Sequence, residues 1–169
     1  LAICDKERRG ADEHAELDEW GNRAVLTRPA PTPVSIPVLF AEHVTRTPNA
    51  VAITCGQRSW TYRELEEAAN RLAHLLTGRG AGPGQCVALL LERSAEAIVA
   101  ILAVLKTGAA YLPIDPAVPA ARMEFMLADA APIAVLTTTG LADRLDGCDV
   151  AVIDIHDPRI DTQPSTGLP

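Results

Sequence analysis

The sequence predicts an α/β fold, a doubly wound sheet of alternating βα units, and three observations carry that prediction. Short apolar or β-branched runs, CVALLL, IAVLTT and VAVIDI, alternate with stretches whose apolar residues recur at helical spacing. CVALLL is apolar at consecutive positions, as a strand covered on both faces is, and does not alternate as a half-exposed strand would. A strand–helix–strand order makes neighbouring strands parallel and places helices on the sheet faces.

The elements follow in chain order. Residues 1–34 are polar and charged and run into TRPAPTP, whose spaced prolines favour an extended, semi-rigid connector. Within this stretch HAELDEW leaves two readings open, a helical turn that packs Leu17 and Trp20, or a loosely ordered tail. In SIPVLFAEHVTRTP, Ser35 is placed to cap a helix, Pro37 suits its first turn, and Pro48 stops it.

AVAITC, then Gly56-Gln57 and RSWT, reads as a hairpin with Val51, Ile53 and Trp60 as its strand formers. Thr61 and Glu64 have capping-box spacing and open a helix with Leu65, Ala68, Ala69, Leu72, Leu75 and Leu76 on one face. Its other face carries Glu66, Glu67, Asn70, Arg71 and His74 and is expected to be solvated.

GRGAGPGQ next leads from helix into strand. Phosphate-cradling loops run the other way, from strand to helix N-terminus, so Gly80, Gly82 and Gly84 read as helix-stop and turn residues. After CVALLL, Ser94 caps AEAIVAILAVLK, which is apolar almost all round and therefore expected to be buried. Gly108 supplies its stop, and Lys106 suits the negative end of the helix dipole.

AAYLPID is a short sheet segment in which Tyr111 and Leu112 are expected to pack inward, while Pro113 excludes a long central strand. Asp115 is expected to cap the following helix, with Met123, Met126 and Leu127 inward. IAVLTT and VAVIDI complete the sheet, with a short helical stretch between Leu141 and Leu145.

Composition bounds the function. The chain has 169 residues, 48% hydrophobic and 22% charged, with a formal net charge of −7, enough for one real core. No basic run is interleaved with aromatics, which argues against a nucleic-acid backbone binder. The longest apolar run, Ala97 to Leu105, is far short of the roughly 20 residues that a membrane helix needs. The opening LAICDKERRG lacks the long apolar segment of a secretory signal, so a cytoplasmic location is expected. Cys4, Cys55, Cys86 and Cys148, like His14, His43, His74 and His156, are scattered without metal-ligand or CxxC spacing and read as ordinary thiols and imidazoles. The chain opens on Leu1 and not Met, which reads as a piece of something longer.

In a doubly wound sheet ligands bind beyond the carboxyl ends of the strands, here near Glu92 to Ser94, Thr137 to Gly140 and Asp154 to His156. No GxSxG, GxxxxGK[ST] or HExxH motif stands there. Glu92 and Arg93 read as an ion pair or exposed loop charges, and Asp154 with His156 lacks a nucleophile. A phosphoacceptor receiver domain would want clustered acids after its first strand, but AVAITC ends in Thr54 and Cys55.

Two motifs then carry a family resemblance. WTYREL, Trp60 to Leu65, resembles the first core motif of the amino-acid adenylation domains of nonribosomal peptide synthetases, and LKTGAAYLPID, Leu105 to Asp115, resembles the second, with Thr107 in place of the more usual alanine. The similarity spans about Ser35 to Pro164, and LDEWGNRAVLTRPAPTP is similar to the connector after an upstream condensation domain, except that Gly21 separates Trp20 from Asn22.

The resemblance implies that residues 1–34 are an interdomain linker or the end of a condensation domain. Residues 35–169 would then be the N-terminal portion of an adenylation domain, an incomplete part of the large N-terminal subdomain of an adenylate-forming enzyme. It implies activation of an amino acid with ATP and Mg2+ as aminoacyl-AMP, and loading onto the phosphopantetheine of a carrier domain. The implied partners are the remainder of the adenylation domain, the condensation domain and the downstream peptidyl carrier. In the family the phosphate loop follows a stretch like DTQPSTGLP, so no catalytic, cofactor or metal residue is carried over, and the chain alone is expected to bind no cofactor and to be inactive. Lys106 is expected to be scaffold. The rival readings are an acyl- or aryl-CoA ligase of the same superfamily, and a non-catalytic α/β binding module.

Overall fold

A glycine in the left-handed region fixes the first turn of the structure, a computed structural model that describes Trp20, Gly21 and residues 32–168. Gly56 has φ +61°, and it reverses β1 (Val51–Cys55) into the antiparallel β2 (Arg58–Thr61). Arg58 lies over the ring of Trp60, its Cζ 4.2 Å from the centroid. Ahead of the hairpin stands α1 (Ile36–Arg46), with Pro37 in its first turn. Ser35 occupies the N-cap position but its hydroxyl bonds no backbone N–H, so the start of α1 rests on proline geometry and not on the expected side-chain cap. Phe40 and His43 of α1 meet the ring of Tyr62 at centroid distances of 5.8 and 4.4 Å.

Thr61 ends the hairpin and caps α2 (Tyr62–Thr77) with the full reciprocal box: its hydroxyl accepts from the Glu64 N–H, and the Glu64 carboxylate accepts from the Thr61 N–H. The Thr61 N–H first, and the Thr61 hydroxyl second, donate to the Glu64 carboxylate and hold its carboxyl below the ordinary range. α2 buries Leu65, Ala69, Leu72, Leu75 and Leu76 as expected, together with Asn70 and Ala73. Its other face departs from the expected solvated one. Asn70 is only 3% exposed, and Glu66 is drawn against α3 by an ion pair.

The main sheet has four parallel strands in the order β4-β3-β5-β6. These are β3 (Cys86–Leu90), β4 (Ala110–Ile114), β5 (Ala134–Thr137) and β6 (Val152–Asp154). Strand alternation sorts their side chains between two cores. Val87, Leu89, Ala134, Leu136 and Ile153 face one cluster, with α2 and α3 (Ala95–Thr107) supplying Leu72, Leu76, Val99, Ala103 and Val104. Ala88, Leu90, Ile114 and Val135 face the other, where α4 (Ala120–Ala130) contributes Met123 and Leu127. Both faces are therefore covered, which is why CVALLL needs no polar alternation. The stretch between β5 and β6 coils into α5 (Thr139–Ala142) and a 3₁₀ turn (Asp143–Leu145) whose Leu145 joins the second cluster. α6 (Pro158–Asp161) follows β6.

Three further expectations are corrected. Tyr111 does not pack inward: β4 is the edge strand among the described residues, and Tyr111 is 39% exposed. Asp115 does not cap α4. Its carboxylate accepts from the Ala117 N–H in a local turn, and Pro119 stands at the helix start without a side-chain bond. Buried α3 is the sound part of its reading, but Ile98 on its outer side is 40% exposed. Trp20 is helical and exposed, and the rest of HAELDEW, with Leu17, lies outside the described residues, as do Cys4 and His14. Cys55, Cys86 and Cys148 are free thiols, with partial burial raising the Cys86 thiol.

Candidate functional site at the carboxyl ends of the strands

The connections define where a ligand crevice belongs. From β3 the chain passes through α3 to β4 on one side, whereas β5 leads to β6 on the other, so the winding reverses between β3 and β5. A cleft of about 310 Å³ opens at that reversal, lined by Leu91, Glu92, Ser94, Glu96, Thr138 and His156 among others. A second, of about 830 Å³, lies beyond the ends of β3 and β4 and is mostly apolar, with Leu91, Ile98, Ile101 and Pro113 in its wall and Glu92, Arg93 and Asp115 at its rim. All three stretches that the sequence placed at the strand ends do gather here.

Their polar groups are largely spent on the scaffold. The Ser94 hydroxyl accepts from the Ala97 N–H at 3.3 Å and caps α3. Thr139 donates its hydroxyl to Asp154 Oδ2 at 2.5 Å, and the His156 N–H donates to Asp154 Oδ1 at 2.8 Å. Those two bonds, the hydroxyl first, lower the Asp154 carboxyl below its ordinary range. Asp154 thus ties β6 to the start of α5 instead of orienting the His156 ring. Glu92 and Arg93 are exposed, and among the described residues no ion pair joins them. Among the described residues no three His, Cys, Asp or Glu side chains stand together as metal ligands.

Lys106 lies at the other end of the sheet, because α3 starts beyond the carboxyl end of β3 and returns to the amino end of β4. Its Nζ donates to Glu66 Oε1 at 2.9 Å, with side chains 9% and 16% exposed. Gly108 follows, with φ +80°, its N–H donating to the Leu105 carbonyl. A Cβ on Gly108 would stand 3.2 Å from Pro83 Cγ. The motif at Leu105 to Asp115 is therefore a packed junction. What sequence reading missed is its partner: Glu66 stood on a face assigned to solvent, and no local signal in α2 announces a lysine 40 residues away.

An α/β sheet with covered faces and crevices beyond its strand ends is a framework that many ligand-binding enzymes share. A family profile described as AMP-binding enzyme matches residues 40–166, and the chain belongs to that family. The resemblance to the N-terminal part of an adenylation domain of a nonribosomal peptide synthetase is borne out within it. The chain is 66% identical over 145 residues to the isonitrile lipopeptide synthase of Mycobacterium tuberculosis, covering 86% of this chain and 6% of that protein. The crystal structure of the nonribosomal peptide synthetase FmoA3 superposes with a TM-score of 0.84 at 32% identity, over 95% of this chain and 17% of that one. FmoA3 has also been solved with AMPPNP and with α-methyl-L-serine-AMP bound. The N-terminal subdomain of Klebsiella oxytoca NpsA follows at TM-score 0.70 and 27% identity, over 80% of this chain and 34% of that one. Among the described residues no helix is long and apolar enough to cross a membrane.

Proposed function

We propose that residues 35–169 form the N-terminal portion of an amino-acid adenylation domain, with residues 1–34 as the connector from an upstream condensation domain. In the synthetase the whole domain joins an amino acid to ATP, releasing pyrophosphate, and passes the aminoacyl group from AMP to the phosphopantetheine thiol of a carrier domain. The observation that carries this reading is the family match over residues 40–166, in which both adenylation-domain motifs do structural work. Trp60 to Leu65 closes the hairpin and caps α2, and Leu105 to Asp115 turns α3 into β4.

This chain's own residues supply the frame and not the reacting groups. The Ser94 and Thr139 hydroxyls and the Asp154 carboxylate are committed to helix capping and to the β6–α5 tie, and Mg2+ is assigned no ligand among them. The chain alone is accordingly proposed to be inactive.

ATP–pyrophosphate exchange tests both statements. The synthetase that contains this sequence should exchange pyrophosphate with one amino acid among a full panel, and the 169-residue chain should exchange with none. Exchange by the chain alone overturns the proposed inactivity. Exchange by the synthetase with aryl or fatty acids only, followed by transfer to free coenzyme A, overturns the amino-acid reading in favour of a CoA ligase.

A further inference from the structure

Among the buried positions of α2, all but one are leucine or alanine, and the exception is Asn70 at 3% exposure. Helix packing gives no reason for it, because an amide at such a site must find partners or lose them to burial. Its Nδ2 donates to the Ser165 carbonyl at 2.8 Å, across 95 residues of sequence. Its Oδ1 is buried without a partner among the described residues. One helical turn on, His74 Nε2 donates to the Thr166 carbonyl at 3.0 Å. After the Gln163 N–H reaches the Ile160 carbonyl, residues 164–168 make no backbone-to-backbone hydrogen bond among the described residues. Their polar anchorage is these two side chains of one helix, supplemented by Leu168 packed against the α2–α3 core.

We propose that Asn70 is a positioning residue: with His74 it clasps the backbone at Ser165 and Thr166 to α2, and so fixes the course that the polypeptide takes after α6. A primary amide has one donating and one accepting edge, the same pair that a peptide group offers, so it can hold an extended backbone by its carbonyl and present Oδ1 to a neighbouring N–H. A carboxylate, which only accepts, or an ammonium, which only donates, offers no such match. The clasp acts on backbone and is indifferent to the side chains of the segment. It stands apart from the adenylation reading, and its failure would leave that reading untouched.

The test is 15N relaxation on the full chain, comparing the native sequence with Asn70→Leu, Asn70→Asp and His74→Ala. The native order parameters of Ser165, Thr166, Gly167 and Leu168 should lie near the rigid value of about 0.85, and in both Asn70 variants they should fall below about 0.6. Amides in α2, α3 and β3 should keep their values. Asn70→Asp, measured at alkaline pH where the carboxyl is ionised, retains size and the acceptor but has no donor, and His74→Ala tests the second anchor at a less buried position, so the question stays answerable if Asn70→Leu does not fold. Order at residues 165–168 that is unchanged in the variants, or already low in the native chain, overturns the clasp. So does a loss of order spread evenly through α2 and α3, which would make Asn70 a packing residue only.

Discussion

Gly108 answers two demands at once, and each sets an expectation for its replacement. At φ +80° a side chain is strained, and a Cβ there would press on Pro83 from 3.2 Å. Gly108→Ala should destabilise the fold by about 2 kcal/mol, read as a lower urea midpoint at unchanged slope. Two residues earlier, Lys106 and Glu66 form a nearly buried pair, and the second Glu66 oxygen has no partner among the described residues. Lys106→Met leaves that carboxylate in a low-dielectric setting without its counter-charge and should cost about 3 kcal/mol, the lower end for broken buried pairs, because both groups keep slight contact with water. Glu66→Leu in the same chain should restore most of the loss, since an apolar pair of similar volume often replaces a buried ion pair without penalty. If the double variant stays as unstable as Lys106→Met, the pair is not what holds α2 to α3 at this point.

At the scale of elements, what was legible in the sequence was whatever local chemistry determines. The hairpin turn, the capping box at Thr61 and Glu64, the left-handed stop at Gly108 and the apolar run of β3 all follow from neighbouring residues, and all are present. What failed depended on distant partners: Tyr111 is exposed on β4, beyond which no strand lies among the described residues, and Asn70 is buried because residues 165–168 pass over it. The strand-end site was legible in position, through the winding rule, but not in chemistry, because the tie between Thr139 and Asp154 runs across 15 residues of loop and strand. Asp154 shows that commitment and gives it a pH dependence. Its carboxyl is lowered first by the Thr139 hydroxyl and then by the His156 N–H. A depressed acid stabilises the fold above its unfolded pKa and loses that contribution as pH falls through the folded value. Asp157, lowered to about 2 chiefly by Arg159, acts in the same direction from the N-cap of α6. Melting temperatures should therefore decline from about pH 5 downward, and Thr139→Val should flatten the decline. An identical pH profile in that variant would remove Asp154 from the account.

For the whole molecule the decisive feature is that one sheet separates two cores. Leu76 reaches the first cluster from α2, and Met123 reaches the second from α4, both essentially free of solvent. Among the described residues the two clusters lie on opposite faces of one sheet, where alternate residues such as Leu89 and Leu90 point to opposite clusters. Removing either side chain should leave a cavity that the other layer cannot fill, so Leu76→Ala and Met123→Ala should each cost about 2–5 kcal/mol. In the double variant the losses should add to within about 0.5 kcal/mol, as they do for sites without shared partners. A larger discrepancy in urea unfolding would mean that the strands shift as a body when one face is hollowed, coupling the two layers. Additivity has a structural meaning here beyond stability. A sheet that takes up a defect on one face without passing it to the other keeps its strand ends in register, and it is at those ends that the crevices of this fold lie.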